Sequence, residues 1–425
     1  MANNNFKKKD QFIIFADVPP IPSLERLQKY KDAGFTYYNL TEDYVVRDTA
    51  DGKISDEYYK VIDDVHALGL KTILRTMRSN SPDYYDTVGD EFVGKADGYY
   101  IVDEPSYTYV SWYGSAPLDK LSKLVDWYNA HGGNSFFHIN LLQDYGMWIV
   151  HGKINTPNYE NYLDDYIETV LKKVKGEKSL STDHYPICKS ADGVNYIKET
   201  AIRDYFRIAE RAKKLISEGH DVRTGFCIQL TSDAGLKMRE MECADDITFQ
   251  VNLALCFGAK LLEYYLYVGR GTGIITDKET QEEYSPLYDW VKRANTRANA
   301  LGKYYLPFEW VGAKTYAGTL VNDAHNLEAF ELCKGKEIEK FAFLKDFSST
   351  ADAIVSEFKD GDRIAYMALN YTEPTLYVEN ILNFTFNKVG KVTVVINGEP
   401  KEYALDDGRL TLKLNAGESA FIILN

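Results

Sequence analysis

The sequence predicts a (β/α)₈ barrel followed by an antiparallel β-sandwich. Eight short runs rich in β-branched and aromatic residues recur over roughly the first 270 residues, and segments with helical apolar spacing separate them. Eight strand–helix units over about 250 residues are the expected size of such a barrel. Beyond Leu306, short alternating runs follow one another without helices between them, which indicates antiparallel sheets.

The predicted barrel strands are apolar runs that stop at glycine, proline or polar residues. They begin at Phe12, Phe35, Lys71, Gly98, Ser135, Leu180, Val222 and Ala259. Apolar residues spaced i, i+3, i+4 predict helices over residues 23–30, 55–68, 118–130, 159–174, 196–217, 244–257 and 286–301. Ser23 is the predicted N-cap of the first helix. An open doubly wound sheet is the alternative, but no glycine-rich phosphate loop follows the first strand.

The apolar pattern of the sequence changes near Leu306 from helical spacing to strand-like alternation. Alternating runs at 364–370, 382–386, 392–396 and 419–424 are separated by turn residues, as in a β-sandwich. We expect strand pairing to start around 311–319, after the last barrel helix. The predicted domains are therefore a barrel over residues 1–303 and a β-sandwich over residues 304–425.

The composition of the chain indicates which classes of binding partner to expect. The net charge is −14 and no stripe of Lys and Arg appears, so a nucleic-acid partner is not expected. The longest apolar runs are too short to cross a membrane, and no signal peptide opens the sequence. We therefore expect a cytoplasmic protein, or an exported one whose leader has been removed. The five cysteines lack CxxC spacing, and we expect buried thiols rather than disulfides or a zinc site.

The fourth predicted strand carries the clearest functional signal. It stays apolar up to Val102, then presents Asp103 and Glu104 and stops at Pro105. Proline ends a β-ladder because it has no N–H to donate. Polar residues at the carboxyl ends of barrel strands are where barrel enzymes place their chemistry. Carboxylates at that position are the groups that glycosidic bond cleavage requires.

Three segments resemble the TIM-barrel glycoside hydrolases that carry a C-terminal β-sandwich, as in the β-galactosidase-type superfamily. They are residues 98–105, 181–186 and 258–267. The first looks like the Asn-Glu-Pro motif of the largest hydrolase clan, with Asp103 where Asn is usual. The resemblance implies that Glu104 is the acid/base. No HExxH, P-loop or nucleotide fingerprint appears, and no cofactor or metal is predicted. Tyrosine, at 33 residues, offers the half-apolar, half-polar surface that suits sugar rings.

The seventh strand departs from the clan. In the clan, the nucleophile is a Glu at the end of the seventh strand. This chain has Gln229 there. Asp183, at the end of the sixth strand, is therefore the predicted second carboxylate, with Glu263 on the eighth strand as the fallback unless it faces the helices. Strands four and six are two apart, so their tips should lie ~10 Å apart, which favours an inverting pair with room for water.

A second comparison is with the chitinase family, whose fourth strand reads Asp-Gly-x-Asp-x-Asp-x-Glu. Asp97-Gly98 and Glu104 fit this spacing, but Tyr100 and Val102 replace the intervening acids. Substrate-assisted cleavage is therefore not favoured.

Other polar and aromatic residues near the strand ends are expected to bind the substrate. The predicted binding residues are Asp103, Asn140, Tyr185, Gln229, Glu263, Tyr267, Arg75 and Trp148. Further polar groups expected at the rim are Asp17, Asn39, Glu42, Arg78 and His138. For His138 the alternative is a core histidine whose hydrogen bonds are satisfied.

The sequence thus predicts a glycoside hydrolase acting on a carbohydrate. Two alternatives stay open: a non-catalytic carbohydrate-binding barrel that has lost its nucleophile, and a metal-dependent barrel lyase or isomerase. The sugar, its anomer and the oligomeric state are left open.

Overall fold

The computed structural model describes residues 9–41, 56–75, 96–105, 118–131, 135–144 and 159–425. Its first part is a nearly closed barrel of eight parallel strands, in the order β1-β10-β9-β6-β5-β4-β3-β2. The eight barrel strands are β1 (Ile13–Ala16), β2 (Tyr37–Thr41), β3 (Lys71–Arg75), β4 (Gly98–Asp103), β5 (Phe136–Leu141), β6 (Lys178–Thr182), β9 (Val222–Gln229) and β10 (Ala259–Tyr265). A separate hairpin of β7 (Ile187–Lys189) and β8 (Asn195–Ile197) follows β6. The backbone N–H of Thr36 donates to the Ile14 carbonyl at 2.9 Å, which joins β2 to β1. The predicted barrel is confirmed.

Helices surround the barrel, and one lies in the second domain. They are α1 (Leu24–Asp32), α2 (Asp56–Ala67), α3 (Leu118–His131), α4 (Tyr159–Thr169), α5 (Ala201–Ser217), α6 (Ala244–Cys256), α7 (Leu287–Tyr305) and α8 (Ala324–Cys333). Ser23 caps α1 by accepting from the Arg26 N–H at 3.3 Å. The predicted start of a helix at 196 is wrong, because residues 195–197 pair with β7 and the helix begins at Ala201.

Alternation along the barrel strands separates two sets of side chains. One set packs inside the barrel: Ile13, Phe15, Tyr37, Ile73, Tyr100, Phe136 and Leu261. The other set faces the helices and belongs to the large core, as Ile14 and Leu262 do. Both faces are apolar and buried, which is typical of parallel strands covered by helices. Toward the carboxyl ends of the strands, the inward positions become polar, and these positions form the site.

The second domain is built from two antiparallel sheets. Its strands are β11 (Glu309–Tyr316), β12 (Leu344–Ser349), β13 (Ala353–Asp360), β14 (Arg363–Asn370), β15 (Asn380–Phe386), β16 (Lys391–Ile396), β17 (Glu399–Ala404), β18 (Arg409–Leu414) and β19 (Ser419–Leu424). Six form a sheet in the order β11-β13-β14-β19-β16-β17, and three form the sheet β12-β15-β18. Side chains of both sheets share one apolar cluster, which includes Val355, Phe384 and Leu412. Helix α8, between β11 and β12, was not predicted.

The central strands of the six-stranded sheet are buried on both faces. In β14, Tyr366 and Ala368 face the three-stranded sheet. Their neighbours Met367 and Leu369 belong to the core of the barrel. The barrel and the second domain therefore share a continuous apolar core.

The helices and the cysteines bear on two of the expectations drawn from the sequence. In the described ranges, no helix has the length and apolar character needed to span a membrane. All five cysteines are free thiols, and only Cys243 is partly exposed.

Candidate active site

A cavity of about 390 Å³ opens at the carboxyl ends of the barrel strands. This volume lies within the usual range for small-molecule sites. Its described lining consists of Asp17, Val18, Arg75, Asp103, Glu104, Asn140, Leu142, Gln143, Asp183, Tyr185, Cys227, Thr231, Ser232, Asp233, Gly235, Leu236, Met238, Glu263 and Tyr265. Both predicted catalytic acids, Glu104 and Asp183, are among these residues.

A β-bulge in β4 turns Asp103 toward the cavity. Tyr100 pairs with His138 and Val102 with Ile139, so Ile101 is an extra residue in the ladder. Ile101 and Val102 both join the core on the helix side. A bulge inserts one residue and re-aims the side chains that follow it. Tyr100 and Asp103 therefore both point inward.

An ion-paired network holds the Asp103 carboxylate. Arg75 donates to Asp103 Oδ2 at 2.8 Å and also bonds Asp17. The Tyr100 hydroxyl donates to Asp103 Oδ1 at 2.8 Å, and Asn140 Nδ2 lies 3.4 Å from the same oxygen. The Arg75 guanidinium also lies over the Tyr100 ring, 4.4 Å from its centroid. A charged carboxylate with this many donors keeps one orientation at the cavity floor.

Glu104 reaches the cavity from a left-handed backbone conformation, with φ of 49°. Its N–H donates to the Asn140 carbonyl at 3.0 Å, which anchors the end of β4 to β5. Burial and the Asp103 charge raise the pKa of Glu104 to about 7. Glu104 is therefore a carboxyl group that gains and loses its proton near neutral pH.

Glu104 and Asp183 both line the cavity, close enough for each to shift the pKa of the other. Burial, followed by the Glu104 charge, raises the pKa of Asp183 well above its usual range. An inverting pair with room for a water molecule stays a prediction. The two acids titrate as a pair.

Glu263 faces the barrel interior rather than the helices. Its Oε2 lies 3.1 Å from His138 Nε2, and His138 Nδ1 lies 2.7 Å from Ser179 Oγ. Burial, then the Asp103 charge, raises the pKa of Glu263 to about 8. Burial lowers the pKa of His138 to about 3, so this histidine is neutral and has partners at both ring nitrogens. His138 is thus a satisfied core residue beneath the cavity.

One wall of the cavity is apolar. Tyr185, Cys227 and Met238 form a buried cluster, with Leu236 and Tyr265 packed against it. The Tyr185 hydroxyl lies 3.6 Å from Cys227 Sγ. The wall presents aromatic rings and carbon atoms to the cavity rather than charged groups. Such a surface suits the apolar face of a ring-shaped ligand.

Two predicted binding residues lie outside the cavity lining. The Gln229 amide donates to the carbonyls of Thr231 at 3.0 Å and Arg239 at 2.8 Å. These bonds hold a loop together and direct the amide away from the cavity. Tyr267 is buried behind the sheet, where its ring packs 5.2 Å from Tyr30 of α1. The sequence rule failed for both because backbone direction at a strand end decides where the side chain points.

Some predictions fall outside the described residues, namely Trp148, Glu42 and Arg78. Asn39 is fully buried, and it is not among the residues that line the cavity.

Sequence reasoning missed the segment Thr231–Met238 as a cavity wall. Six of its residues line the cavity: Thr231, Ser232, Asp233, Gly235, Leu236 and Met238. Because this segment follows the seventh barrel strand, the rule that barrel loops at the carboxyl end build the site could have found it. Tyr100 was missed too, since a tyrosine inside an apolar run carries no signal of a polar role.

No group of three or more His, Cys, Asp or Glu side chains is arranged to hold a metal ion among the residues described above.

Comparison with known proteins gives the fold. No protein-family model and no curated protein sequence matches the chain. A family 39 glycoside hydrolase from Bacteroides cellulosilyticus has 11% identity and a TM-score of 0.53, with 98% of this chain and 81% of that chain covered. α-Galactosidase I from Mortierella vinacea has 10% identity and a TM-score of 0.51, with 100% and 98% covered.

A GH30 endoxylanase from Clostridium papyrosolvens has 10% identity and a TM-score of 0.50, with 98% of this chain and 97% of that chain covered. The alignments extend over both parts of the molecule, the parallel barrel and the antiparallel sheets after it. The chain therefore has the fold of the TIM-barrel glycoside hydrolases.

Proposed function

We propose that this protein is a glycoside hydrolase that uses the carboxyl groups at the barrel mouth. The observation that carries the proposal is the buried pair Glu104 and Asp183, which line one cavity beside the ion-paired Asp103. Glycosidic cleavage needs one protonated carboxyl at the leaving oxygen and one carboxylate near the anomeric carbon. Neighbouring acids with different environments meet both needs.

Each carboxyl group has a role that follows from its surroundings. Glu104 donates its proton to the leaving oxygen, a water molecule attacks the anomeric carbon, and the proton that this water releases restores the Glu104–Asp183 pair. Asp103, ion-paired with Arg75, faces the positive charge that develops on the sugar ring. Glu263, whose pKa is about 8, stays protonated and donates to a sugar hydroxyl or to His138.

Unpaired acceptors in the cavity support a hydroxyl-rich ligand. Asn140 Oδ1 and Gln143 Oε1 are buried and have no hydrogen-bond partner among the described residues. Buried polar atoms in native proteins are nearly always satisfied. Sugar hydroxyls in the cavity would supply the missing donors.

The test is a panel of aryl and alkyl glycosides with the wild type and Glu104→Gln. We expect Glu104→Gln to lower kcat by about 10²-fold or more on alkyl glycosides, which is the usual contribution of general acid catalysis. Activated aryl glycosides should lose less, because their leaving group needs little protonation. Glu331→Gln, at an exposed position on α8, is the matched control and should leave all rates unchanged.

Other outcomes select other functions. Equal losses on both substrate types would assign Glu104 to binding or to nucleophilic attack. Sugar binding without turnover in the wild type would favour a binding barrel. Activity abolished by a chelator and restored by a divalent metal would favour the metal-dependent alternative.

The pH profile is a second test. A general acid works only while it is protonated, so hydrolysis of alkyl glycosides should fall as the pH rises through about 7, the pKa of Glu104. The kcat/KM profile of the wild type should show this alkaline limb. Glu104→Gln should lack it, and an unchanged limb in this variant would assign the titration to another group.

A further inference from the structure

A buried carboxylate of the second domain, Glu373, bonds Arg239 directly behind one wall of the cavity. The wall is the segment Thr231–Met238, called here the cavity loop. It is bonded within itself: the N–H of Met238 donates to the Asp233 carbonyl at 2.9 Å, and Asp233 N–H donates back at 3.1 Å. Asp233 Oδ1 also accepts from Gly235 N–H at 2.8 Å. A loop bonded in this way moves as one body, so its roots set its position.

Gln229 and strand β7 form hydrogen bonds with the two ends of the cavity loop. The Gln229 amide bonds the carbonyls on either side of the loop, at Thr231 and Arg239. The N–H of Arg239 donates to the Ile187 carbonyl at 3.2 Å. The position of Arg239 therefore fixes the far end of the cavity loop.

The Arg239 side chain is held by two acids, one from each domain. Asp246, at the start of α6, accepts from both terminal nitrogens at 2.8 and 2.6 Å. Glu373, from the segment between β14 and β15, accepts from Arg239 Nη2 at 2.5 Å. All three residues are at most 4% exposed. Glu373 is itself fixed, since its other oxygen accepts from Thr375 N–H at 2.8 Å.

We propose that Glu373 is a positioning residue for the active site: through Arg239 it sets where the cavity loop lies against the bound sugar. This inference rests on the proposed function only for its kinetic consequence. Removing Glu373 leaves Asp246 as the one acid on Arg239, so the guanidinium loses its anchor on the second domain and would shift toward α6. A displacement of about 1 Å at a binding wall can cost about 10²-fold in rate.

The experiment compares three variants of the full chain. Glu373→Ala removes the carboxylate, Glu373→Gln keeps an oxygen for Arg239, and Asn252→Ala removes a different bond across the same domain boundary. Asn252 Nδ2 donates to the Gly417 carbonyl at 2.8 Å and lies outside the cavity lining. Each variant is measured for Tm, for KM and kcat on the best glycoside, for its pH profile, and for amide hydrogen exchange over residues 231–239.

We expect Glu373→Ala to raise KM by about 10-fold or more with a smaller change in kcat and an unchanged alkaline limb. Exchange over residues 231–239 should become faster, and Glu373→Gln should recover most of both properties. Asn252→Ala should lower Tm while leaving KM and this exchange as in the wild type.

A Glu373→Ala protein with a lower Tm but wild-type KM and wild-type exchange over 231–239 would overturn the proposal and leave Glu373 a purely structural role. If no glycoside is hydrolysed, the proposed function fails, and the exchange comparison alone decides the role of Glu373. If Glu373→Ala does not fold, Glu373→Asp supplies the disruptive comparison, since its shorter side chain draws the carboxylate away from Arg239, and it should show the same rise in KM and the same faster exchange.

Discussion

At the scale of single residues, the site is an arrangement of acids whose protonation depends on distant neighbours. The sequence predicted Glu104 and Asp183 because each follows an apolar strand, and both lie in the cavity. Their mutual influence on pKa, and the bond between Glu263 and His138, involve residues far apart in the chain. Pairings of this kind depend on barrel closure, so strand-end patterns cannot predict them.

The raised pKa of Glu263 predicts a pH-dependent stability. Its pKa is about 8 in the folded protein against an ordinary value of 4.5. The folded state therefore keeps a proton that the unfolded chain releases, so this group's contribution is complete below about pH 4.5 and is lost as the pH rises through about 8. We expect the free energy of unfolding of the wild type to fall relative to that of Glu263→Gln across this interval.

Urea unfolding of both proteins at several pH values within that window measures the difference. Glu331→Gln, whose carboxylate is 65% exposed, is the control and should track the wild type at every pH. A constant difference between wild type and Glu263→Gln would mean that the carboxyl is ionised in the folded protein throughout.

At the scale of elements, apolar runs located the barrel strands because those strands are buried on both faces. Two features escaped. Helix α8 buries Asn326, Ala329, Phe330 and Cys333, which is a helical spacing, but it lies in a region whose other runs alternate as strands do. The bulge in β4 was invisible as well, since an extra residue in one strand is defined only by the partner strand.

Gly225 in β9 tests how tightly the barrel interior is filled. A Cβ at this position would lie 2.8 Å from Leu261 Cδ2 and 2.9 Å from Ser181 Oγ, both below ordinary contact distance. Gly225→Ala should therefore destabilise the protein by about 1–3 kcal/mol through overpacking. The midpoint of urea unfolding measures this, with Gly390→Ala as the control.

A Cβ added at Gly390 would meet no atom within 4 Å, so its substitution should change the midpoint little. Equal midpoints for the two alanine variants would show that Ser181 and Leu261 can move apart at no cost.

At the scale of the whole molecule, the two domains are joined by shared core rather than by a simple linker. Phe358, Met367 and Phe421 of the six-stranded sheet belong to the same apolar cluster as the barrel helices. The Tyr305 ring of α7 packs against Phe358 and Phe421, with ring centroids 5.3 and 5.4 Å apart. The sequence predicted both domains from their patterns, but which helices the sheet covers depends on how the two surfaces fit.

A fragment of residues 1–303 should therefore fail to fold cooperatively. It would expose the apolar faces of α6 and α7 that the sheet covers, and exposed patches of this kind lead to aggregation. Solubility, circular dichroism and glycosidase activity measure the outcome. The control is the full chain cut by a protease site placed at residues 306–308, where the halves should stay associated.

A soluble and fully active fragment would contradict this dependence. Loss of activity in the cut control as well would assign the defect to the chain break.

The bulge in β4 also decides which acids of related barrels correspond to one another. Without it, strict alternation from Tyr100 would turn Val102 inward and Asp103 toward the helices. A related barrel with a regular fourth strand would therefore carry its inward acid two residues after the counterpart of Tyr100, not three. An alignment without a gap would match that acid to Val102. A one-residue gap at Ile101 is needed before the reaction centres of two such proteins can be compared.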